Sequence, residues 1–173
     1  MALWKNGAFA EDNFRLVPDE AALADGEPSI VTLARFRAER DQLLGRNTPI
    51  GLLIPPGADW SDIVGDLSRF SVIALDLPKF ADGRAFSIGR LLRDRDGFTG
   101  ELRAVGAFFL DQMPFLKRVG FDAFSTSDPL VLKGLEEGRW PEVTEYYQPA
   151  SDIGEVPAGK RPWARRPAPK AAE

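Results

Sequence analysis

From residue 49 onward, short apolar runs alternate with stretches of helical periodicity. PIGLLIP, VIALDLP, ELRAVG and FDAFST are largely apolar throughout, as strands buried on both faces are. Between them, Asp59 precedes Trp60, Ile63, Val64 and Leu67; Phe86, Leu91 and Leu92 run up to Gly97; Asp111 precedes Met113, Leu116 and Val119, which stop at Gly120. Apolar residues at that spacing, with an acidic residue before and glycine after, mark helices. Asp128-Pro129 opens one more helix, closing at Gly138, with an N-cap followed by proline at the first helical position. The alternation predicts an α/β fold: a parallel sheet of about four βα units, half-barrel-like or open, since right-handed crossovers allow both shapes.

Upstream, aromatic and β-branched residues between Leu3 and Val17 surround Asn6-Gly7 and Glu11-Asp12-Asn13. This predicts a small N-terminal β-hairpin, an appendage to the sheet. An acidic stretch over 18–28 leads to a helix capped by Ser29 or Thr32, with Leu33, Phe36, Leu43 and Leu44 on one face, ending near Gly45. Residues 1–148 are expected to form one domain. Residues 149–173 are proline-rich and basic, a composition that predicts a disordered tail. Trp140, Tyr146 and Tyr147 follow the last helix and are expected to pack against the sheet.

The composition removes chemistry. With no Cys and no His, the chain has no thiolate nucleophile, Ser-His triad, Cys/His zinc site or protein-ligated iron–sulfur cluster. A net charge of −4 gives no general attraction to nucleic acid or to an anionic membrane, so neither is expected as a partner. The tail contributes +2, from Lys160, Arg161, Arg165, Arg166 and Lys170 against Asp152, Glu155 and Glu173, which leaves the body at −6. The N-terminus turns polar at once and no apolar run approaches the roughly 20 residues of a membrane span; a cytoplasmic protein is expected.

In a parallel sheet, ligands bind beyond the carboxyl ends of the strands. After the first run comes the rigid loop Pro55-Pro56-Gly57. The second is followed by the richest segment, with Asp76, Lys79, Asp82, Gly83, Arg84, Ser87 and Arg90. After the third come Gly106, Asp111 and Gln112, and after the fourth Ser125, Thr126, Ser127 and Asp128. Asp76, a carboxylate at a buried strand end, is the candidate acid or base. Arg84, Ser87 and Arg90 would hold an anion, unless the arginines merely pair with acidic neighbours on a solvated helix. Neither a dinucleotide fingerprint nor a phosphate loop of the GxxxxGK type follows any strand, so no cofactor is assigned, and two loop carboxylates are too little to assign a metal.

The blocks GRAFSIGRLLR, GELRAVG and GFDAF, in that order, resemble the signature of a bacterial family catalogued as domain of unknown function 934, loosely labelled oxidoreductases. The likeness extends from the N-terminal hairpin to about residue 148. Its members are commonly encoded beside the sulfite or nitrite reductase haemoprotein and phosphoadenylylsulfate reductase. The resemblance therefore implies a part in assimilatory sulfate reduction, with the sulfite reductase haemoprotein as a partner. Carried onto this chain, it directs attention to Arg84, Ser87, Arg90, Arg103, Asp111 and Gln112 as substrate-binding positions. Val119 stands where many members have cysteine, and Ala107-Phe108-Phe109-Leu110 replaces a more polar stretch.

Three functions follow. The resemblance implies an accessory protein of sulfite reduction, an oxidoreductase component or partner of the reductase. Residue placement suggests a barrel-like enzyme acting on a small anion, with Asp76 as acid or base. The lack of strong catalytic motifs and the aromatic segment after the last helix fit a non-catalytic dimeric adaptor. An open sheet of four strands would leave two edges to cover, and a homodimer is one way to cover them.

Overall fold

The computed structural model describes residues 1–141, 155–158 and 161–167. Strand β1 (Ala2–Lys5) turns at Asn6-Gly7, with φ of 55° and 82°, into β2 (Ala8–Ala10); paired positive φ values are what a two-residue hairpin turn demands. Next come β3 (Arg15–Leu16), β4 (Ser29–Thr32), α1 (Leu33–Ala38), α2 (Arg40–Leu44) and β5 (Ile50–Ile54). A 3-10 helix over Ser61–Arg69 leads into β6 (Phe70–Leu77), α3 (Arg84–Asp94) and β7 (Glu101–Gly106). The order then runs α4 (Met113–Arg118), β8 (Ala123–Thr126) and α5 (Pro129–Glu136).

The eight strands form one sheet in the order β2-β1-β8-β7-β6-β5-β4-β3. Every pairing from β3 to β8 is parallel, and β1 is antiparallel to both β8 and β2. The fold is thus α/β with a mostly parallel sheet, but it is larger than four βα units. Two expectations change for identifiable reasons. The hairpin is no appendage, because β1 pairs along the whole of β8. Ser29–Thr32 is a strand and not the start of a helix. Thr32 does cap α1, accepting from the Arg35 amide at 3.1 Å, but the three residues before it are buried between β3 and β5.

The connection from β2 to β3 decides the shape of the sheet. These are its two edges, yet only residues 11–14 join them. Laid flat, eight strands would hold their edges about 34 Å apart at roughly 4.8 Å per strand. The five Cα steps from Ala10 to Arg15 reach no more than about 18 Å. The sheet must curl, and its edges face each other across a gap that residues 11–14 span as a strap. The half-barrel-like expectation stands and the flat, open sheet does not.

Curling gives the sheet two unlike faces. The outer face, with Leu52, Ile54, Ile73, Leu75, Leu102 and Phe124, meets Phe36, Leu43, Ile63, Leu92, Leu116 and Leu135 from the helices in one apolar core. The inner face can be followed in rows by register. Leu53, Ala74, Arg103, Ala123 and Lys5 form one row; Asp76, Val105, Ser125 and Leu3 form the next. Ala74, Ala123 and Arg103 are all buried there.

Beyond α5, Trp140 packs edge-on against Phe124 at 6.3 Å, as expected. Tyr146 and Tyr147 lie outside the described residues. Within the segment expected to be disordered, β9 (Glu155–Ala158) and β10 (Arg161–Pro167) pair as an antiparallel ribbon; the rest of that expectation falls outside the described residues.

Candidate functional site

Two groups of side chains stand out: one on the rim at the carboxyl ends of the strands, one inside the barrel. At the rim, Asp76 lies near the end of β6, directly opposite Val105. Gly106 follows with φ of 106°, and a Cβ there would fall 2.9 Å from Asp76 Oδ1 and closer still to the Leu77 carbonyl oxygen. Glycine is required because the backbone both adopts a left-handed conformation and passes tightly over β6. Burial pushes the Asp76 carboxyl above its ordinary value, and the negative charge of Asp82 adds to the effect.

Asp82 and Arg84 form a two-point pair, Nε to Oδ1 at 2.8 Å and Nη2 to Oδ2 at 2.6 Å. The Arg84 guanidinium holds the Asp82 carboxyl down at about 2. The same guanidinium lies over Gly57, where a Cβ would meet Nη1 at 2.5 Å, so the loops after β5 and β6 close on each other. The loops after β6 and β7 are tied in turn. Gln112 accepts from the Phe109 amide at 3.0 Å and donates to the Phe80 carbonyl at 3.3 Å. Above this tie, the Phe80 and Phe109 rings lie 5.1 Å apart and are 55% and 47% exposed.

The interior group is ionic. Lys5 Nζ meets Glu101 Oε2 at 2.5 Å, and Glu101 Oε1 accepts from Arg103 Nε at 2.8 Å and pairs with its Nη2 at 2.7 Å. Arg103 Nη1 then reaches Asp12 of the strap at 3.0 and 2.8 Å. Two cations and two anions form a neutral chain across the bore. Arg103 extends so far because its neighbours in the row, Ala74 and Ala123, are small.

The residues expected to form one site are therefore divided. Asp76 and Arg84 sit at the rim, and Gln112 braces it. Arg103 is inside, engaged by two carboxylates. Arg90 pairs with Asp94 at 2.9 Å one helical turn on, while Ser87 and Asp111 are exposed. Lys5, Asp12 and Glu101 carry the interior chain and were not singled out as site residues by sequence reasoning. The signal available was Asp12 in a segment too short to cross a flat sheet.

A third cluster accounts for much of the GRLLR, GEL and GFD pattern without any ligand. Arg93 donates to the carbonyls of Phe98, Gly100 and Gly120 and meets Asp122 at 2.5 Å, while Asp122 accepts from the Leu102 amide. Gly120, at φ of 100°, has Arg93 packed where a side chain would stand. A surface cleft of about 470 Å³ borders Arg93, Phe98, Thr99 and Asp122. Its ionic groups are spent on the backbone. Among the described residues, no three acidic side chains are grouped to hold a metal ion, and no helix is long and apolar enough to cross a membrane.

Residues 51–157 match the family model described as bacterial protein of unknown function (DUF934). No curated protein and no solved structure matches the chain.

Proposed function

The chain belongs to the bacterial DUF934 family, and from that premise we propose that it is an accessory protein of assimilatory sulfite reduction that works by docking on the sulfite reductase haemoprotein. The resemblance of GRAFSIGRLLR, GELRAVG and GFDAF supports the pathway. The observation that supports docking is the Phe80–Phe109 pair. Two half-exposed aromatic rings sit on adjacent rim loops that Gln112 holds together. Aromatic side chains held rigidly at a surface are typical anchors of protein interfaces. The arginines expected to hold an anion at the rim already have carboxylate partners, Arg84 on Asp82 and Arg90 on Asp94.

A second reading, an acid–base role in a small-molecule reaction, is favoured by the raised Asp76 carboxyl at the same rim. The two readings separate in one experiment. The chain and the reductase haemoprotein are mixed and run on size exclusion, and sulfite reduction is measured with and without the chain. Docking predicts a stoichiometric complex that Phe80→Ala with Phe109→Ala disrupts and Asp76→Asn leaves intact. Separate elution with an unchanged reduction rate would overturn it.

A further inference from the structure

We infer that the barrel interior contains a binding site for a small oxyanion at Arg103, and that in the chain alone the Asp12 carboxylate occupies it. This is independent of the docking role, since a chain that docks on nothing would keep the site. Three observations carry it. First, Arg103 is 3% exposed and its guanidinium is divided by geometry: Nε and Nη2 face Glu101, whereas Nη1 meets both oxygens of Asp12. Without Asp12 the group Lys5, Glu101 and Arg103 carries one net positive charge, with Arg103 buried, Glu101 nearly so and Lys5 partly open to water. Such a setting strongly favours an anion.

Second, the occupant belongs to a piece of chain able to leave. Residues 11–14 lie between the two edge strands, which do not pair with each other, and the Asp12 side chain is 29% exposed while its partner is buried. Within the strap, Asp12 Oδ1 also accepts from the Phe14 amide, so the carboxylate carries its own turn with it when it withdraws. Third, the side chains beside the guanidinium are small, since Ala74 and Ala123 flank Arg103 in its row. Small residues beside a long cation leave a place for something other than hydrocarbon. Lys5 is 36% exposed and marks a route inward.

The ligand chemistry is that of a compact anion with two or more oxygens able to accept from one guanidinium edge: sulfite, sulfate or a short carboxylate. The tethered Asp12 competes at high effective concentration, so the site is weak in the native chain and strong when Asp12 is neutralised. The test is calorimetric titration with sulfite, sulfate and acetate of four proteins: native, Asp12→Ala, Asp12→Asn, and Asp12→Asn combined with Arg103→Gln. The expected result is saturable binding at least tenfold tighter in both single variants than in the native chain, lost in the double variant. The ranking of the three probes then identifies the preferred anion. In the native chain, saturating anion is expected to speed amide exchange at residues 11–14. Asp12→Asn, close in size to the original, decides the matter should Asp12→Ala not fold. Equal responses in all four proteins, or no saturable binding in Asp12→Asn, would overturn the inference.

Discussion

The Arg93 guanidinium holds Asp122 at 2.5 Å and donates to three backbone carbonyls, those of Phe98, Gly100 and Gly120. One side chain from the end of α3 thereby fixes the entries to both β7 and β8. Arg93 is buried while Asp122 is half exposed, so removing the guanidinium costs chiefly through the three carbonyls it leaves without a donor. Arg93→Met is expected to cost about 2–4 kcal/mol in urea unfolding, and Arg93→Lys to recover little, because one ammonium cannot serve four acceptors in a plane. Gly120→Ala should fail in the same assay, its methyl group entering the space of Arg93 at a positive φ.

The carboxylates at the rim are expected to give opposite pH dependences. Asp82, held at about 2 by Arg84 and ordinary when unfolded, binds its proton more weakly in the native state. Its contribution is present above the unfolded value of about 3.9 and is lost as pH falls through about 2. Asp76 is raised by burial and by Asp82, so it binds its proton more tightly in the native state. Stability therefore declines as pH rises from the ordinary carboxylate value through the raised one. Asp76→Asn should raise the melting temperature at pH 7 and remove that decline. In Asp82→Asn, carbon-detected titration should find the Asp76 carboxyl moved downward, as one negative neighbour is gone and Arg84 is released.

Truncating the aromatic pair should leave the fold almost untouched. Phe80 and Phe109 are about half exposed, so each change to alanine is expected to cost less than about 1 kcal/mol. Any larger loss in thermal unfolding would mean that the pair serves the core and not a partner.

Much of the fold was legible in the sequence, and the unread parts have physical causes. The runs at PIGLLIP, VIALDLP, ELRAVG and FDAFST became β5, β6, β7 and β8, and Asp128-Pro129 capped α5, because buried strands and helix caps are set by local residue types. β4 was missed. Four residues running straight into a helix whose cap is the last of them give no period of their own. β1 looked peripheral because its partner β8 lies more than a hundred positions away, a distance over which local pattern carries nothing.

The candidate site divided for a similar reason. Asp76 and Arg84 were placed correctly at the carboxyl end of β6, since topology alone puts them there. Glu101 and Arg103 alternate with Leu102 and Ala104 in β7, which puts the two charged groups on one face, but whether that face lines the inside of a curled sheet is not set by local pattern. Its partner Asp12 follows only once the curl of the sheet is known.

That curl, and the strap closing it, are tested most directly by a double-mutant cycle on Asp12 and Arg103. Asp12→Ala, Arg103→Met and the double variant are unfolded in urea beside the native chain. The strapped barrel predicts a coupling energy of about 1–3 kcal/mol between residues 91 positions apart. Losses that simply add, to within about 0.5 kcal/mol, would place Asp12 away from Arg103 and contradict the strapped barrel.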